Sequence, residues 1–178
     1  MSVRIGFLRA VNVGRSRRVK MSRLVTVCQD LGHRDVWTFV NSGNVVFDAR
    51  GARASVEATM ERALEDEFGF ECTTFVRTAA QLRTAMDAKP FTLVATDTYF
   101  VTFLKKPPSA TAAAALQALS NDVDTLVVRG ADVHWRMHGK STDSTLSARD
   151  WTNAVGALTT TSRNVTMLTR LLAKIDAR

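Results

Sequence analysis

The chain has 178 residues, 46% hydrophobic and 23% charged, with 24 Lys and Arg against 17 Asp and Glu for a formal net charge of +7. That balance excludes a disordered chain, and no apolar run approaches the roughly 18 residues of a membrane span. A length of this order buries roughly 70% of the unfolded surface, so neither a metal nor a disulfide staple is needed.

Val3 to Val11 reads as a first strand, although Arg4 and Arg9 break its apolar runs. A signal peptide's continuous apolar region is therefore missing, and the cytoplasm is the expected location. The stretch from Arg9 to Met21, RAVNVGRSRRVKM, sets Arg9, Arg15, Arg17, Arg18 and Lys20 around an Asn12-Val13-Gly14 turn. Met1 to Arg23 contains seven Lys or Arg and no Asp or Glu. Val19 to Leu31 follows at helical spacing and stops at Gly32, a residue suited to the left-handed helix end. Cys28 falls in the apolar series Met21, Leu24, Cys28, Leu31, so it reads as a buried small hydrophobe, and Cys72, opening a later strand, reads the same way.

Val36 to Val40 and Val45 to Phe47 are β-rich runs joined by Asn41-Ser42-Gly43-Asn44, which makes a hairpin. Val56, Met60, Leu64 and Phe68 then recur along a helix closed by Gly69, and Thr73 to Arg77 supplies a fourth strand. Glu57, Glu61, Glu65, Asp66, Glu67 and Glu71 concentrate acid along that helix, so charge is expected to be polarised across the molecule.

Thr78 with Gln81 forms a capping box for a connecting helix, with Pro90 beyond its end. The order then repeats. Tyr99 to Leu104 is a strand, Ser109 to Leu119 an alanine-rich helix, and Thr125 to Val128 with Val133 to Met137 a hairpin turning at Gly130. Ser147 with Asp150 caps a short helix ending at Gly156, Leu158 to Thr161 is a last edge strand, and Asn164 caps a final helix whose Leu168, Leu171, Leu172 and Ile175 share one face. Two successive β-α-β-β-α-β orders predict an α+β protein of two ferredoxin-like (alpha-beta plait) subdomains packed together. They divide as residues 1–77, a connecting helix and linker over 78–96, and residues 97–178 with the C-terminal helix. The halves show no strong residue-level similarity.

The segments FLRAVNVGRSRRVKM, FVNSGNVVF and TTTSRNVTMLTRL resemble the signature segments of a bacterial family, number 1697 among the domains of unknown function. The matching positions are Leu8, Arg9, Asn12, Val13, Gly14, Lys20, Met21, Ser42, Gly43, Asn44, Thr161, Arg163 and Asn164. Ala10 and Arg15 stand where the family usually has glycine, and Val165 where it usually has tryptophan. The resemblance implies two plait subdomains and no particular activity.

In a plait the first loop and the β2–β3 hairpin turn share one edge of the sheet. Arg9, Asn12, Gly14, Arg15, Arg17, Arg18, Lys20, Ser42, Gly43 and Asn44 are therefore candidate anion-binding residues, because backbone N–H groups and guanidinium forks converge on negative oxygen. Arg163 and Asn164 join them, read as opening the last helix, where a cation needs an anion beside it to offset the helix dipole. The alternative reading ties the two loops together through Asn12, Ser42 and Asn44, with the arginines solvated and Asn164 merely capping.

HGKST, His138 to Thr142, lacks the glycine a P-loop needs five positions before Gly139. His134 and His138 have zinc-like spacing, but on a strand they lie roughly 13 Å apart. The alternation instead puts His134 and Arg136 on one face, opposite Val133, Trp135 and Met137, a candidate for the helix-free face that meets solvent, the other subdomain or a ligand, while Tyr99, Phe100 and Phe103 read as core. No metal, cofactor or catalytic constellation is read. The expected function is polyanion binding, to nucleic acid or else to a phosphate-bearing small molecule, with no membrane partner. The competing classes are an enzyme on a small phosphorylated or carboxylated substrate, using Arg9, Ser42, Asn44 and Arg163, and a protein-interaction module.

Overall fold

The structure is a computed structural model that describes residues 2–12, 17–156 and 159–178. The chain divides into two units, Met1–Leu82 and Arg83–Arg178. The first contains β1 (Ser2–Leu8), α1 (Met21–Asp30), β2 (Arg34–Thr38), β3 (Asn44–Ala49), α2 (Arg53–Phe68) and β4 (Thr74–Thr78). After α3 (Ala79–Asp87), the second contains β5 (Thr98–Leu104), α4 (Ala110–Ala118), β6 (Asp124–Arg129), β7 (Asp132–Met137), α5 (Ala148–Val155), β8 (Thr160–Asn164) and α6 (Val165–Asp176). The sheets run β2-β3-β1-β4 and β6-β7-β5-β8, with antiparallel pairing throughout. Both are the ferredoxin-like order, and the protein is α+β.

Apolar spacing explains how the helices sit. Leu24, Val27 and Cys28 of α1 and Val56, Met60 and Leu64 of α2 pack with Leu8, Val45, Phe47 and Val76 of the sheet. Gly6 lets this layer close, since a Cβ there would lie 3.0 Å from Val45. In the second unit Leu104, Leu116, Leu126, Val133 and Val155 form the corresponding cluster, flanked by Trp135 and Trp151 at 5.3 Å between ring centroids. Cys28 and Cys72 are buried free thiols, and burial pushes their pKa values up to about 12 and about 11.

The acidic helix is not simply a solvated face. Glu57, 4% exposed, accepts the Val76 N–H at 2.8 Å, and Glu61, one turn on, accepts the Thr74 N–H at 2.7 Å. These are outward-facing amides of edge strand β4, so α2 covers that edge with carboxylates. The second unit protects edge strand β6 in the same manner: Ser120 Oγ accepts from the Leu126 N–H at 3.0 Å, and Gln117 Oε1 from the Val128 N–H at 3.2 Å.

The two units also repeat at particular residues. Arg77 on β4 stands opposite Ile5 at the centre of β1, and Arg163 on β8 opposite Val101 at the centre of β5. Each arginine is buried, and each precedes a polar residue that caps the next helix. Thr78 and Gln81 form the capping box of α3, while Asn164 Oδ1 accepts the Thr166 N–H at the start of α6.

Three expectations are corrected. β1 ends at Leu8 rather than Val11, because the Leu8 and Arg9 N–H groups donate to Gly43 and Thr73 and the backbone then turns through positive φ at Ala10 and Asn12. Arg163 lies within β8 rather than opening the last helix, which starts at Val165. His134 stands on the sheet face opposite Val133, as the alternation predicts, but is fully buried rather than open to solvent, with Nδ1 2.5 Å from the Tyr99 hydroxyl.

Candidate functional site

The candidate residues of the first unit gather around Asn12. Its Nδ2 donates to the carbonyls of Val19 and Asn41, both at 3.0 Å, while its Oδ1 accepts the Val19 N–H at 2.9 Å. The Asn12 backbone N–H donates to Arg17 at 3.0 Å. One side chain thus closes the neck of the basic loop and fastens it to the β2–β3 turn.

That turn is held from within. Asn44, fully buried, donates from Nδ2 to the Phe39 carbonyl at 3.0 Å and to Ser42 Oγ at 2.9 Å. Gly43 adopts φ +71°, and a Cβ there would lie 2.5 Å from Val11 and 2.9 Å from Leu8. The glycine is required by close approach as well as by backbone conformation. Ala10, Asn12, Arg17 and Val40 also have positive φ at this edge, so strain concentrates here.

The cations point outward from this framework. Arg9, Arg17, Arg18 and Lys20 are exposed. The Arg17 guanidinium lies 5.7 Å from the centroid of the Phe70 ring. Among the described residues neither Arg18 nor Lys20 has a carboxylate partner. Arg23, on the first turn of α1, differs: it makes a double hydrogen bond with Glu67, 2.7 Å on each arm. Gly14 and Arg15 lie outside the described residues.

Arg163 and Asn164 belong to the second unit. Arg163 donates from Nη1 to Thr161 Oγ1 at 2.8 Å and to the Ser162 carbonyl at 2.9 Å, and burial pushes its pKa down to about 10. Asn164 is an N-cap. The tempting histidine pair is engaged elsewhere: His134 with Tyr99, and His138 with Asp97 at 2.9 Å. Among the described residues no group of three His, Cys, Asp or Glu is placed to hold a metal. Sequence reasoning missed Glu57 and Glu61 as backbone acceptors and Arg77 as the counterpart of Arg163. The available signals were two glutamates spaced i, i+4 and an arginine just before the cap of each following helix.

Paired antiparallel plaits with a tethered basic loop define a two-unit ferredoxin-like α+β protein. The model for a protein family of unknown function, DUF1697, matches residues 1–134, and the chain belongs to this family. Its structure is similar to that of conserved bacterial protein SP0830 from Streptococcus pneumoniae, with a TM-score of 0.73 and 16% identity over 97% of each chain, a likeness in fold. No curated protein matches it. Among the described residues no helix is long and apolar enough to cross a membrane.

Proposed function

We propose that the protein binds a polyanion, a nucleic acid, through the cations that flank Asn12. The observation carrying this reading is that Arg9, Arg17, Arg18 and Lys20 are all exposed around a loop neck closed by one asparagine, in a segment without a single acid. Cations held on a tied backbone contact successive phosphates with less ordering entropy than cations on a free tail. Arginine adds bidentate geometry toward phosphate oxygens. Binding is electrostatic and weakly sequence-selective, because phosphate contacts position a protein without reading bases. A cytoplasmic location is part of the same proposal. An enzyme using Ser42, Asn44 and Arg163 is less well supported, since Ser42 Oγ, Asn44 Nδ2 and Arg163 Nη1 are engaged in internal hydrogen bonds.

The test is fluorescence anisotropy with labelled single-stranded RNA and DNA across a salt series. Engagement of four phosphates gives a slope of log K against log salt of about −3. Replacing Arg17, Arg18 and Lys20 together by alanine is expected to weaken binding at least tenfold and flatten the slope. A salt-independent affinity, or one unchanged in the triple variant, overturns the reading.

A further inference from the structure

HGKST, His138 to Thr142, takes no part in the basic loop and follows directly on β7. β5 and β7 pair from Phe103 opposite Asp132 to Thr98 opposite Met137, so Asp97 and His138 stand one step beyond the end of this ladder. Thr98 Oγ1 donates to the Gly139 carbonyl at 2.6 Å and the His138 N–H to Val123 at 2.8 Å, which fixes the backbone at the histidine. Gly139 then turns the chain at φ +99°, where a Cβ would lie 2.6 Å from Asp143 Oδ2.

The side chains across that step form an oriented pair. Asp97 Oδ1 lies 2.9 Å from His138 Nδ1, and Asp97 Oδ2 accepts the Val94 N–H at 3.0 Å, so both carboxylate oxygens are engaged. The Val94 N–H holds the Asp97 pKa below its ordinary value against the opposing effect of burial, and the His138 ring adds to it. An ionised carboxylate only accepts, so Nδ1 carries the proton and the lone pair is left on Nε2. The Asp97 side chain has no exposed surface, whereas that of His138 is 47% exposed. Among the described residues Nε2 of His138 has no protein partner. In His33 and His134, by contrast, Nε2 is buried.

The surroundings are cationic. Arg136, two residues before His138, acts on the Asp97 charge, and Lys140, two residues after, has no carboxylate partner among the described residues. Asp143, the acid of this loop, turns back to accept the Lys140 N–H at 2.8 Å. An imidazole with Nε2 free, backed by a fixed carboxylate and flanked by cations, is a nucleophile suited to an anionic electrophile. We propose that Nε2 of His138 accepts a phosphoryl group from a small acyl phosphate, with Asp97 as its positioning residue, at a place independent of the basic loop. Nε2 attacks phosphorus, the N–P bond forms as the P–O bond to the acyl group breaks, and the carboxylate leaves with the bonding pair. The ring gains a positive charge, keeps its Nδ1 proton and is offset by Asp97, so no proton, oxidant or further reactant is consumed. Arg136 and Lys140 draw in the phosphate of the donor.

The probe is acetyl phosphate, incubated with the full-length protein at about pH 8, where an ordinary imidazole is uncharged. Phosphorus NMR and mass spectrometry without acid follow the product. An acid-labile, alkali-stable phosphate is expected on His138 and on neither of the other two histidines, forming at least about tenfold faster than in urea, where Asp97 no longer holds the ring. His138→Asn should abolish it, and Asp97→Ala should slow it about tenfold. Long-range proton–nitrogen spectra of the unmodified 15N-labelled protein read the ring directly, with the proton expected on Nδ1. Labelling no faster in the folded protein than in urea, labelling spread equally over the three histidines, or a wild-type His138 protonated on Nε2 overturns the proposal.

Discussion

Asn12 does the work of several residues. All its side-chain hydrogen-bonding groups shown here serve the loop neck and the β2–β3 turn, and it sits at φ +57°, a conformation asparagine tolerates better than most residues. Asn12→Ala is therefore expected to lower stability by about 1–3 kcal/mol, measured by urea unfolding, because it strands backbone partners in a partly buried loop. Gly43 and Gly51 make a matched pair for a second measurement. Both have positive φ, but a Cβ at Gly43 collides with Val11 and Leu8, whereas one at Gly51 meets nothing within 4 Å. Gly43→Ala should destabilise by roughly 2 kcal/mol more than Gly51→Ala. The thiols give a third. With pKa values of about 12 and about 11 caused by burial, Cys28 and Cys72 should resist a disulfide reagent at pH 8 in the folded protein and react promptly in urea. The residue types at the β2–β3 turn were legible, since Asn, Ser and Gly announce a tight bend. Their partners were not, because Val19 and Asn41 come beside Asn12 only when the sheet is assembled.

Edge strands show how elements are completed by neighbours. The N–H groups of Thr74 and Val76 face away from β1 and donate to Glu61 and Glu57 of α2 in place of a further strand. Glu57→Ala is expected to cost about 1–3 kcal/mol and to speed amide exchange at Val76 more than at Val45, a central-strand residue. Unchanged exchange at Val76 would remove the edge-capping role. The number and kind of elements could be read from periodicity and from the capping pairs Thr78 with Gln81 and Ser147 with Asp150. The strand limits could not. Arg163 looked like a helix-opening residue, yet it lies in β8, because β8 pairs with β5 as far as Asn164 opposite Phe100. The correspondence of Arg77 with Arg163 likewise emerges from register and not from the surrounding letters, which differ at most positions.

For the whole molecule, stability and binding are expected to respond to different variables. Burial lowers the pKa of His134, against a smaller raising effect of Asp132, and burial followed by the Arg4 charge lowers that of His33. Both rings take up a proton less readily in the folded state than in the unfolded chain, which does so near the ordinary value of 6.5. Their contribution is complete above that value and is lost as pH falls through the depressed folded values. Tm should therefore drop between pH 7 and pH 5, and His134→Gln should make the drop shallower. Nucleic-acid affinity should instead follow salt. The triple variant at Arg17, Arg18 and Lys20 should lose binding with a stability change within about 0.5 kcal/mol, as expected for exposed positions. A large fall in Tm would mean that these cations support the loop rather than a ligand.

By itself the sequence determined the α+β class, the doubled order of strands and helices, the family, and the gathering of cations ahead of the first acid. These depend on local propensity, apolar period and composition, which the chain carries at every short stretch. Tertiary structure decided that Asn12 closes the loop, that Glu57 and Glu61 serve a strand edge, and that His134 and Arg163 are buried. Each of those depends on register and on side chains from distant positions meeting in a low-dielectric interior, where burial and an available partner set what a polar group does.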